Sequence, residues 1–384
     1  MRAAADLFLW LMLAPLYFAF LYQSRIAAFG LRVRPLKSSA DELYFGVIVP
    51  AYNEEHTIGR LLTSLKGLKY PAEKLFILVV ADHCTDATAR LVREAGFVCL
   101  ERSAGPRGKA PSLSEGIAWI EEHRAGIAAV AFFDADTVVQ ADFFRIMSGL
   151  VRREPYLQAH VGIDEWDATV FTRLDYINAM VENRFRELAR SQAGLSCHLR
   201  GHGMVFRRDV LEGLSWQDGG MVEDLDMQLR LVIGGRRVVW VDQARVHTVL
   251  PKTAAEAKVQ RQRWAGGKSA IVRQGVAMLY KSWRKSRSPI VFDQMALLLL
   301  PSHSVQLALV FVAVLVTAAL GGPGYGPLWA SLALLGMYFA YFLTGAVLNG
   351  VRFATFMTLP LAPFFIIWRT WVYLTSLKGS KRWR

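Results

Sequence analysis

Two aspartates separated by a single residue directly follow an apolar stretch of the chain. Residues 127–133 read Ile-Ala-Ala-Val-Ala-Phe-Phe and predict a buried strand that ends at Asp134-Ala135-Asp136. Carboxylates at this spacing can share a hard divalent cation whose other positions are filled by phosphate oxygens. A cation held by Asp134 and Asp136 would neutralise charge on a departing diphosphate. Two aspartates at this spacing also occur in solvated turns, so the pair alone does not distinguish a metal site from a turn. The other polar residues placed near it have to do so.

A second acidic pair, Glu223-Asp224, opens a predicted helix at Leu225. Acidic residues are common in the first turn of a helix because they compensate the helix dipole. The alternative is a general base that removes the proton of an acceptor hydroxyl as that hydroxyl attacks a sugar. On these two residues alone, both interpretations stay open.

The most distinctive element of the chain is Gln260-Arg261-Gln262-Arg263-Trp264. Gln260, Arg263 and Trp264 fall at positions i, i+3 and i+4 of a predicted helix, near one face. Arg263 could bind a diphosphate, and the Trp264 indole could form the floor beneath an acceptor sugar. An arginine and a tryptophan can also anchor a helix end at a membrane surface, which is the competing interpretation.

Three isolated polar residues are weaker candidates. Asp82 follows the predicted strand at residues 75–81 and could accept the N3–H of a uracil ring, although it or Asp86 could instead cap the next helix. Lys109 offers a point charge for a diphosphate or is a solvent-facing loop lysine, and it lacks the glycine spacing of a P-loop. His247 could be a third metal ligand, but a lone histidine is more often a core residue.

The elements that must position these residues alternate along the chain. Strands are predicted at 44–49, where Pro50 should end the strand, and at 75–81, 98–100, 127–133, 204–206 and 238–241, and helices at 58–65, 87–95, 110–123 and 175–190. This alternation predicts an α/β fold with a largely parallel sheet covered by helices. Ligands bind beyond the carboxyl ends of the strands in such sheets. Asn53-Glu54-Glu55, Asp82 and Asp134-Ala135-Asp136 all follow strands, which predicts one shared site.

The composition indicates a membrane rather than a nucleic acid as the partner of the basic residues. Hydrophobic residues make up 53% of the 384 residues, which is high for a soluble enzyme. The net charge is +13, and basic residues flank apolar segments, as expected beside anionic headgroups. Nucleic-acid binding would interleave basic and aromatic residues on one surface. The three cysteines have no metal-type spacing and indicate thiols in a reducing compartment; they are Cys84, Cys99 and Cys197.

The apolar segments predict the domain organisation. Residues 7–22 precede basic residues without a cleavage site, which predicts an uncleaved anchor whose C-terminal end is cytoplasmic. Two later crossings at 303–320 and 328–348 would keep the basic tail inside, and residues 295–301 and the last apolar stretch would be interfacial or re-entrant. The predicted divisions are an N-terminal transmembrane anchor (1–34), a linker (35–43), a catalytic domain (44–264), an amphipathic interfacial helix (265–288) and a C-terminal membrane region (289–384).

Read in order, these motifs resemble family 2 glycosyltransferases. They are most similar to the membrane branch with cellulose, hyaluronan and poly-N-acetylglucosamine synthases, over residues 44–264. The motifs that carry the resemblance are Pro50-Ala51-Tyr52-Asn53-Glu54, Asp82, Asp134-Ala135-Asp136, Glu223-Asp224 and Gln260-x-x-Arg263-Trp264. The resemblance implies a GT-A fold (a Rossmann-like nucleotide-diphospho-sugar transferase domain), inversion at the anomeric carbon, and Mg²⁺ or Mn²⁺.

The resemblance also implies a role for each matching position. The uridine part would be bound by Asn53, Glu54 and Asp82. Asp224, beside Glu223, would be the catalytic base. Gly201-His202-Gly203 is similar to a glycine-containing loop on the acceptor side. The remaining roles are the sugar-diphosphate and metal for Asp134 and Asp136, and the diphosphate and acceptor end for Gln260, Arg263 and Trp264.

The expected reaction is transfer of a sugar from UDP-glucose or UDP-N-acetylglucosamine to a growing polysaccharide or envelope glycan. The site would lie on the cytoplasmic face of the inner membrane, with membrane lipid and export or co-polymerase subunits as partners. One alternative is a single-addition enzyme with a lipid-linked acceptor, because ceramide glucosyltransferases look alike at the last motif. The other is a non-catalytic scaffold of a polysaccharide export complex.

Overall fold

A computed structural model of the chain describes residues 2–36, 42–211, 216, 223–251, 253–321 and 324–376; the side chains of residues 2–5, 260, 263–271, 273 and 376 lie outside this description. The strands are β1 (Phe45–Ala51), β2 (Leu75–Asp82), β3 (Val98–Arg102), β4 (Ala129–Phe132), β5 (Val138–Val139), β6 (Tyr156–Asp164), β7 (Met204–Arg207) and β8 (Val239–Val249). The helices are α1 (Arg2–Ala27), α2 (Ile58–Lys66), α3 (Thr88–Glu94), α4 (Lys109–His123), α5 (Phe143–Val151), α6 (Val170–Val181), α7 (Ala189–Gln192), α8 (Glu223–Ile233), α9 (Ala254–Ser286), α10 (Pro289–Leu299), α11 (His303–Leu320), α12 (Gly326–Leu348), α13 (Phe353–Phe356) and α14 (Ala362–Ser376).

The chain forms two compact units. The sheet unit comprises residues 34–164 and 195–250, and the helical unit comprises 1–33, 165–194 and 251–381. Residues 165–194 fall within the predicted catalytic domain but pack into the helical unit, because their apolar side chains share a core with α1 and the end of α12. That core contains Ala27, Ile177, Met180, Val181, Phe185, Ala346 and Val351.

The sheet has the strand order β3-β2-β1-β4-β7-β6-β8-β5. The first four strands are mutually parallel, as predicted. β7 is antiparallel to both β4 and β6, so the sheet as a whole is mixed rather than largely parallel. β6 was not predicted, because two of its buried residues, Gln158 and His160, are polar and interrupt the apolar pattern.

Pro50 does not end the first strand, contrary to the prediction. β1 continues to Ala51 and stays paired with β2 over its whole length. Its pairing with β4 ends at Ile48, so Pro50 lies where β1 has a partner on one side only. Proline is tolerated at such positions because its missing N–H removes no ladder hydrogen bond.

The helical unit contains the apolar segments. Four of its described segments are long and apolar enough to cross a membrane: Asp6–Gly30, His303–Leu320, Gly326–Leu348 and Phe353–Thr375. The first three coincide with the predicted crossings. The interfacial helix predicted at 265–288 is not a separate element, because α9 runs without a break from Ala254 to Ser286.

The predicted charge-rich helix at residues 175–190 forms α6, a π-helical segment (Glu182–Leu188) and α7. Its charged side chains are largely buried and paired. Arg190 Nε donates to Asp293 Oδ2 over 2.9 Å, and Arg184 Nε donates to the Gly30 carbonyl over 2.5 Å. A buried charge is tolerated only when it is paired in this way, so these contacts tie the segment to α10 and to the 3₁₀ turn after α1.

Candidate active site

The predicted polar residues follow neighbouring parallel strands of the sheet unit. Asn53 and Glu54 come after β1, Asp82 ends β2, and Asp134 comes after β4. Because β2, β1 and β4 are adjacent and parallel, their carboxyl ends meet at one edge of the sheet.

Lys109, at the start of α4, is the centre of the site. Its Nζ lies 2.5 Å from Asp134 Oδ1 and 3.2 Å from Glu223 Oε1, and it donates to the Gly201 carbonyl over 3.1 Å. Burial disfavours the charged amine, but Asp134 and Glu223 outweigh that effect and raise the pKa of Lys109. One ammonium group therefore joins the end of β4, the loop before β7 and the start of α8.

The two aspartates after β4 have different surroundings. Burial disfavours the Asp134 carboxylate, but Lys109 and His202, whose Nδ1 is 3.4 Å from Asp134 Oδ2, lower its pKa. Asp136 is the more exposed of the two, and its Oδ2 accepts from Thr248 Oγ1 over 3.4 Å. Partial desolvation and the charge of Asp134 raise the pKa of Asp136. Asp134 is thus in direct contact with Lys109 and His202, whereas desolvation and the charge of Asp134 dominate at Asp136.

Asp224 lies at the start of α8, directly after Glu223. Its Oδ1 accepts from the Leu225 backbone N–H over 2.7 Å, in the first turn of α8. Burial and the neighbouring Glu223 raise the pKa of Asp224 to about 6, and Lys109 opposes them. A general base works best when its pKa lies near the working pH. The competing interpretation, dipole compensation, accounts for the position of the pair but not for the contact of Glu223 with Lys109.

The carboxylates at this edge offer part of a metal site. The pKa of Glu54 is raised by burial and by Asp136 and Asp134, so three carboxylates repel one another here. A divalent cation would relieve that repulsion. The described residues contain no group of three histidine, cysteine or acidic side chains that could hold a metal together. Asp134 and Asp136 therefore fit a site that the oxygens of a bound diphosphate would complete.

Asp82 is almost fully buried, and both of its carboxylate oxygens have hydrogen-bond partners. Its Oδ1 lies 2.6 Å from Arg102 Nη1 and 2.7 Å from His83 Nδ1, and its Oδ2 accepts from the Gly108 N–H over 2.9 Å. Burial favours the neutral acid, but these hydrogen bonds lower the pKa of Asp82. Asp82 therefore holds the residue directly before Lys109, and its contact with a uracil ring stays a prediction.

Arg102 was not singled out by the sequence, and its replacement should destabilise the sheet unit. Arg102→Gln leaves Asp82 charged and buried without its partner, and breaking such a pair costs about 3–5 kcal/mol. We expect the apparent Tm in detergent to fall by about 10 °C. The matched control is Arg90→Gln, which breaks the exposed pair with Glu94 and should leave Tm unchanged. Equal Tm values for the two variants would contradict this assignment.

Hydrogen bonds join the loop after β1 to the loop after β2. Asn53 has a positive φ of 50°, and its Oδ1 accepts from the Thr85 N–H over 2.8 Å. The Glu54 N–H donates to Thr88 Oγ1 over 2.8 Å. Asp86 Oδ1 accepts from the N–H of Thr88, the first residue of α3, over 3.0 Å. Ala87, not Asp86, is the N-cap residue, so Asp86 satisfies one free N–H at the helix start without being its cap.

The side chain of Gln158, in β6, hydrogen-bonds to the loop before β7. This fully buried side chain donates to the His202 carbonyl over 2.9 Å and accepts from the Arg200 N–H over 2.9 Å. This role was not predictable from the sequence, because a lone glutamine in an unrecognised strand matches no motif.

Gly201 brings the backbone close to the Lys109 amine. Its φ is +78°, and a Cβ there would lie 3.0 Å from Lys109 Nζ. We expect Gly201→Ala to lower kcat/KM about tenfold, because a displaced catalytic group costs that much or more. Gly235→Ala is the matched control: it has a φ of +72° but nothing within 4 Å. Both variants bear backbone strain, so an equal loss of kcat/KM would show that crowding of Lys109 is irrelevant.

The remaining sequence candidates are His247 and the motif of Gln260, Arg263 and Trp264. His247 Nδ1 is 3.1 Å from Asp164 Oδ1, and Asp164 Oδ2 also accepts from Arg60 over 2.8 Å. Metal binding by His247 stays a prediction. Gln260, Arg263 and Trp264 lie on α9 of the helical unit, and their side chains are outside the described part of the chain.

Comparisons with known proteins agree on one family. A family model described as Glycosyltransferase like family 2 matches residues 42–267, more than half of the chain. The probable glycosyltransferase YdaM of Bacillus subtilis (strain 168) is 28% identical over 74% of this chain and 69% of that protein. A poly-beta-1,6-N-acetyl-D-glucosamine synthase of Staphylococcus epidermidis is 26% identical over 65% of this chain. The match covers 60% of that synthase, less than two thirds of its length.

A solved structure shares the architecture. The mannosyltransferase PcManGT from Pyrobaculum calidifontis, in complex with GDP-Man and Mn²⁺, has a TM-score of 0.61 and 21% sequence identity. The superposition covers 90% of this chain and 98% of that one. At this level of identity the likeness concerns the fold alone.

Proposed function

This chain belongs to the glycosyltransferase-like family 2, and from that premise we propose that it is an inverting enzyme that moves a sugar from a UDP-sugar to a growing glycan at a membrane. The predicted GT-A fold is confirmed, and so is the prediction that the chain is a glycosyltransferase. The scaffold alternative is therefore set aside. The donor, the stereochemistry and the acceptor belong to the proposal.

The observation that carries the proposal is the carboxylate of Asp224, with a pKa of about 6, beside Lys109 and Asp134. Direct displacement needs one base for the acceptor hydroxyl and positive charge for the departing diphosphate. Asp224 would take the hydroxyl proton as the oxygen attacks the anomeric carbon. Lys109 would exchange its contact with Asp134 for the diphosphate oxygens.

Asp134 and Asp136 would hold Mg²⁺ or Mn²⁺, which when bound supplies charge to stabilise the departing diphosphate. Mn²⁺ is present in the PcManGT complex, which supports a divalent metal here. N-acetylglucosamine as the transferred sugar is supported by the poly-beta-1,6-N-acetyl-D-glucosamine synthase among the relatives. We propose UDP-N-acetylglucosamine as the donor, and UDP-glucose is the other donor to test. Asn53, Glu54 and Asp82 would form the uridine side, and Gln260, Arg263, Trp264 and the Gly201-His202 loop the acceptor side.

Membrane association is supported by four apolar helices and by similarity to a polysaccharide synthase. We place the sheet unit on the cytoplasmic side of the plasma membrane, because basic residues follow α1 and positive charge is retained on that side. UDP-sugars would then reach the site directly.

The test is nucleotide release by the detergent-solubilised full chain. We expect UDP release from one UDP-sugar in a panel of UDP- and GDP-sugars, with Mg²⁺ or Mn²⁺, and loss of release with chelator or in Asp136→Asn. Release from a GDP-sugar alone would overturn the donor assignment, and release that resists the chelator would overturn the metal.

Sizing of the product decides between the main proposal and its alternative. A ladder of glycan lengths supports polymer synthesis. One product species formed on a lipid-linked acceptor supports single addition. Retention or inversion of configuration at the anomeric carbon, read by NMR of the product, tests direct displacement.

A further inference from the structure

The fourth apolar segment, Phe353–Thr375, has the length and composition of a membrane crossing but not its geometry. The structure breaks it into α13, a 3₁₀ turn at Leu359–Leu361 and α14. α14 alone has 15 residues, and a helix needs about 20 to cross the hydrocarbon core.

The position of this segment along the membrane normal follows from its contacts with the ends of α11 and α12. These two helices are antiparallel, since Tyr338 donates to Gln306 and Thr317 Oγ1 lies 3.1 Å from Ser331 Oγ. His303, at the start of α11, therefore lies level with the last turns of α12, and its ring centroid is 5.5 Å from that of Tyr341. We call this end of the pair, with the start of α11 and the end of α12, the near end.

The segment begins at the near end. Asn349, just after α12, donates to the Met180 carbonyl over 2.8 Å. Farther along, Phe356 and Leu359 pack on the core that contains Ala27 and Val351. The chain has therefore not left the near end by Leu359.

The segment is at the near end again eleven residues later. Thr370 Oγ1 donates to the carbonyl of Ser304, the second residue of α11, over 3.4 Å. Its neighbour Arg369 lies 3.4 Å from Asp175 of α6, the helix that also meets Asn349. A crossing would separate these contacts by about 30 Å, so α14 runs along the near end instead.

The two faces of α14 differ as this placement requires. The inward face holds Val372, which is fully buried, and Arg369, whose partner Asp175 also binds Arg261 of α9. The outward face is apolar and exposed at a spacing of three and four residues. It consists of Phe364 (72% exposed), Ile367 (63%), Trp371 (49%) and Leu374 (56%).

We propose that α14 is a lipid-binding helix that lies along the membrane interface at the near end, and that α1, α11 and α12 are the crossings of the described chain. An apolar face of four large residues on a membrane-associated protein fits the acyl boundary beneath the headgroups. Lys258 Nζ lies 4.6 Å from the Trp371 ring, a pairing suited to the headgroup level. The basic residues that follow suit anionic lipid; they are Lys378, Lys381, Arg382 and Arg384.

The test measures depth at the four outward positions. Single cysteines replace Phe364, Ile367, Trp371 and Leu374 in a full-length chain without its three native cysteines. Each carries a spin label, and the protein is reconstituted in vesicles of phosphatidylcholine and phosphatidylglycerol. Collision with oxygen and with a water-soluble nickel complex reports depth. Exposed positions of α11 serve as the crossing control; they are Leu309, Val312 and Val316.

We expect the same shallow depth at all four positions of α14 and a gradient along α11. A difference of about 15 Å between positions 364 and 374 would show a crossing and overturn the proposal. Labels in water at all four positions would also overturn it. So would protection from both reagents, because a protein partner would then cover the face.

A second measurement needs no substitution in the helix. A tag after Arg384 should be cleaved from the same membrane side as a protease site at residue 36, since an interfacial α14 leaves the tail on the near-end side. Cleavage from the opposite side would overturn the proposal. Neither experiment depends on catalysis, so its failure is separate from failure of the proposed reaction.

Discussion

Asp224→Asn should lower kcat by about 10²–10⁴-fold, the usual contribution of a general base. The amide keeps the size of the side chain but cannot accept the hydroxyl proton. Steady-state UDP release with the preferred donor measures the loss. Asp226→Asn is the matched control, because Asp226 lies in the same turn of α8 but pairs with Arg230. Retention of more than about a tenth of the activity by Asp224→Asn would move the base elsewhere, with Glu223 as the next candidate.

The pH dependence of the wild-type enzyme follows from the same carboxylate. Asp224 must be ionised to act, so kcat/KM should fall as the pH drops through about 6. Stability should change in the opposite sense. A carboxyl whose pKa is raised on folding stabilises the fold at pH values below its unfolded pKa of about 4. This contribution is lost as pH rises through the folded pKa of about 6.

Because ionisation of Asp224 destabilises the fold, Asp224→Asn should remove activity without lowering stability. The neutral amide lacks the buried charge, so the Tm of the variant at pH 7 should equal or exceed that of the wild type. A large fall in Tm would mean that the loss of activity came from unfolding. The activity of Asp224→Asn would then no longer support Asp224 as the base.

Lys109→Gln should impair both catalysis and folding. The substitution removes the charge that Asp134 and Glu223 share, and loss of a buried partner costs about 3–5 kcal/mol. Loss of a preorganised group that stabilises a leaving charge lowers kcat by about 10²–10³-fold. Lys66→Gln, on the exposed end of α2, is the control for loss of one lysine.

A pH profile separates these two roles of Lys109. Lys109 lowers the pKa of Asp224, so its removal should raise that pKa. The acid limb of the residual kcat/KM should therefore shift to higher pH, whereas Lys109→Arg should keep it close to the wild-type position. An unshifted limb in Lys109→Gln would show that Lys109 does not act on the base.

The convergence of Asn53, Asp82 and Asp134 was predictable because it depends only on strand direction. Apolar runs followed by polar residues define buried parallel strands, and their carboxyl ends must share an edge. The same reasoning missed β6, because strand prediction relied on apolar patterning and Gln158 and His160 break it.

Contacts between residues far apart in the chain had no signal in the sequence. Lys109 was a weak candidate for a diphosphate contact, and its carboxylate partners were not predicted; Arg102 matched no motif. Each becomes important only when distant carboxylates are brought beside it: Asp134 and Glu223 in the first case, Asp82 in the second.

The sequence by itself determined the family motifs, the alternation of strands and helices and the apolar segments, because all three depend on local residue order. Only the tertiary structure decided the pairing of Lys109, the raised pKa of Asp224 and the contacts of Arg369 and Thr370 in α14. Burial and the distance between charges set these properties, and both are defined only when remote parts of the chain meet.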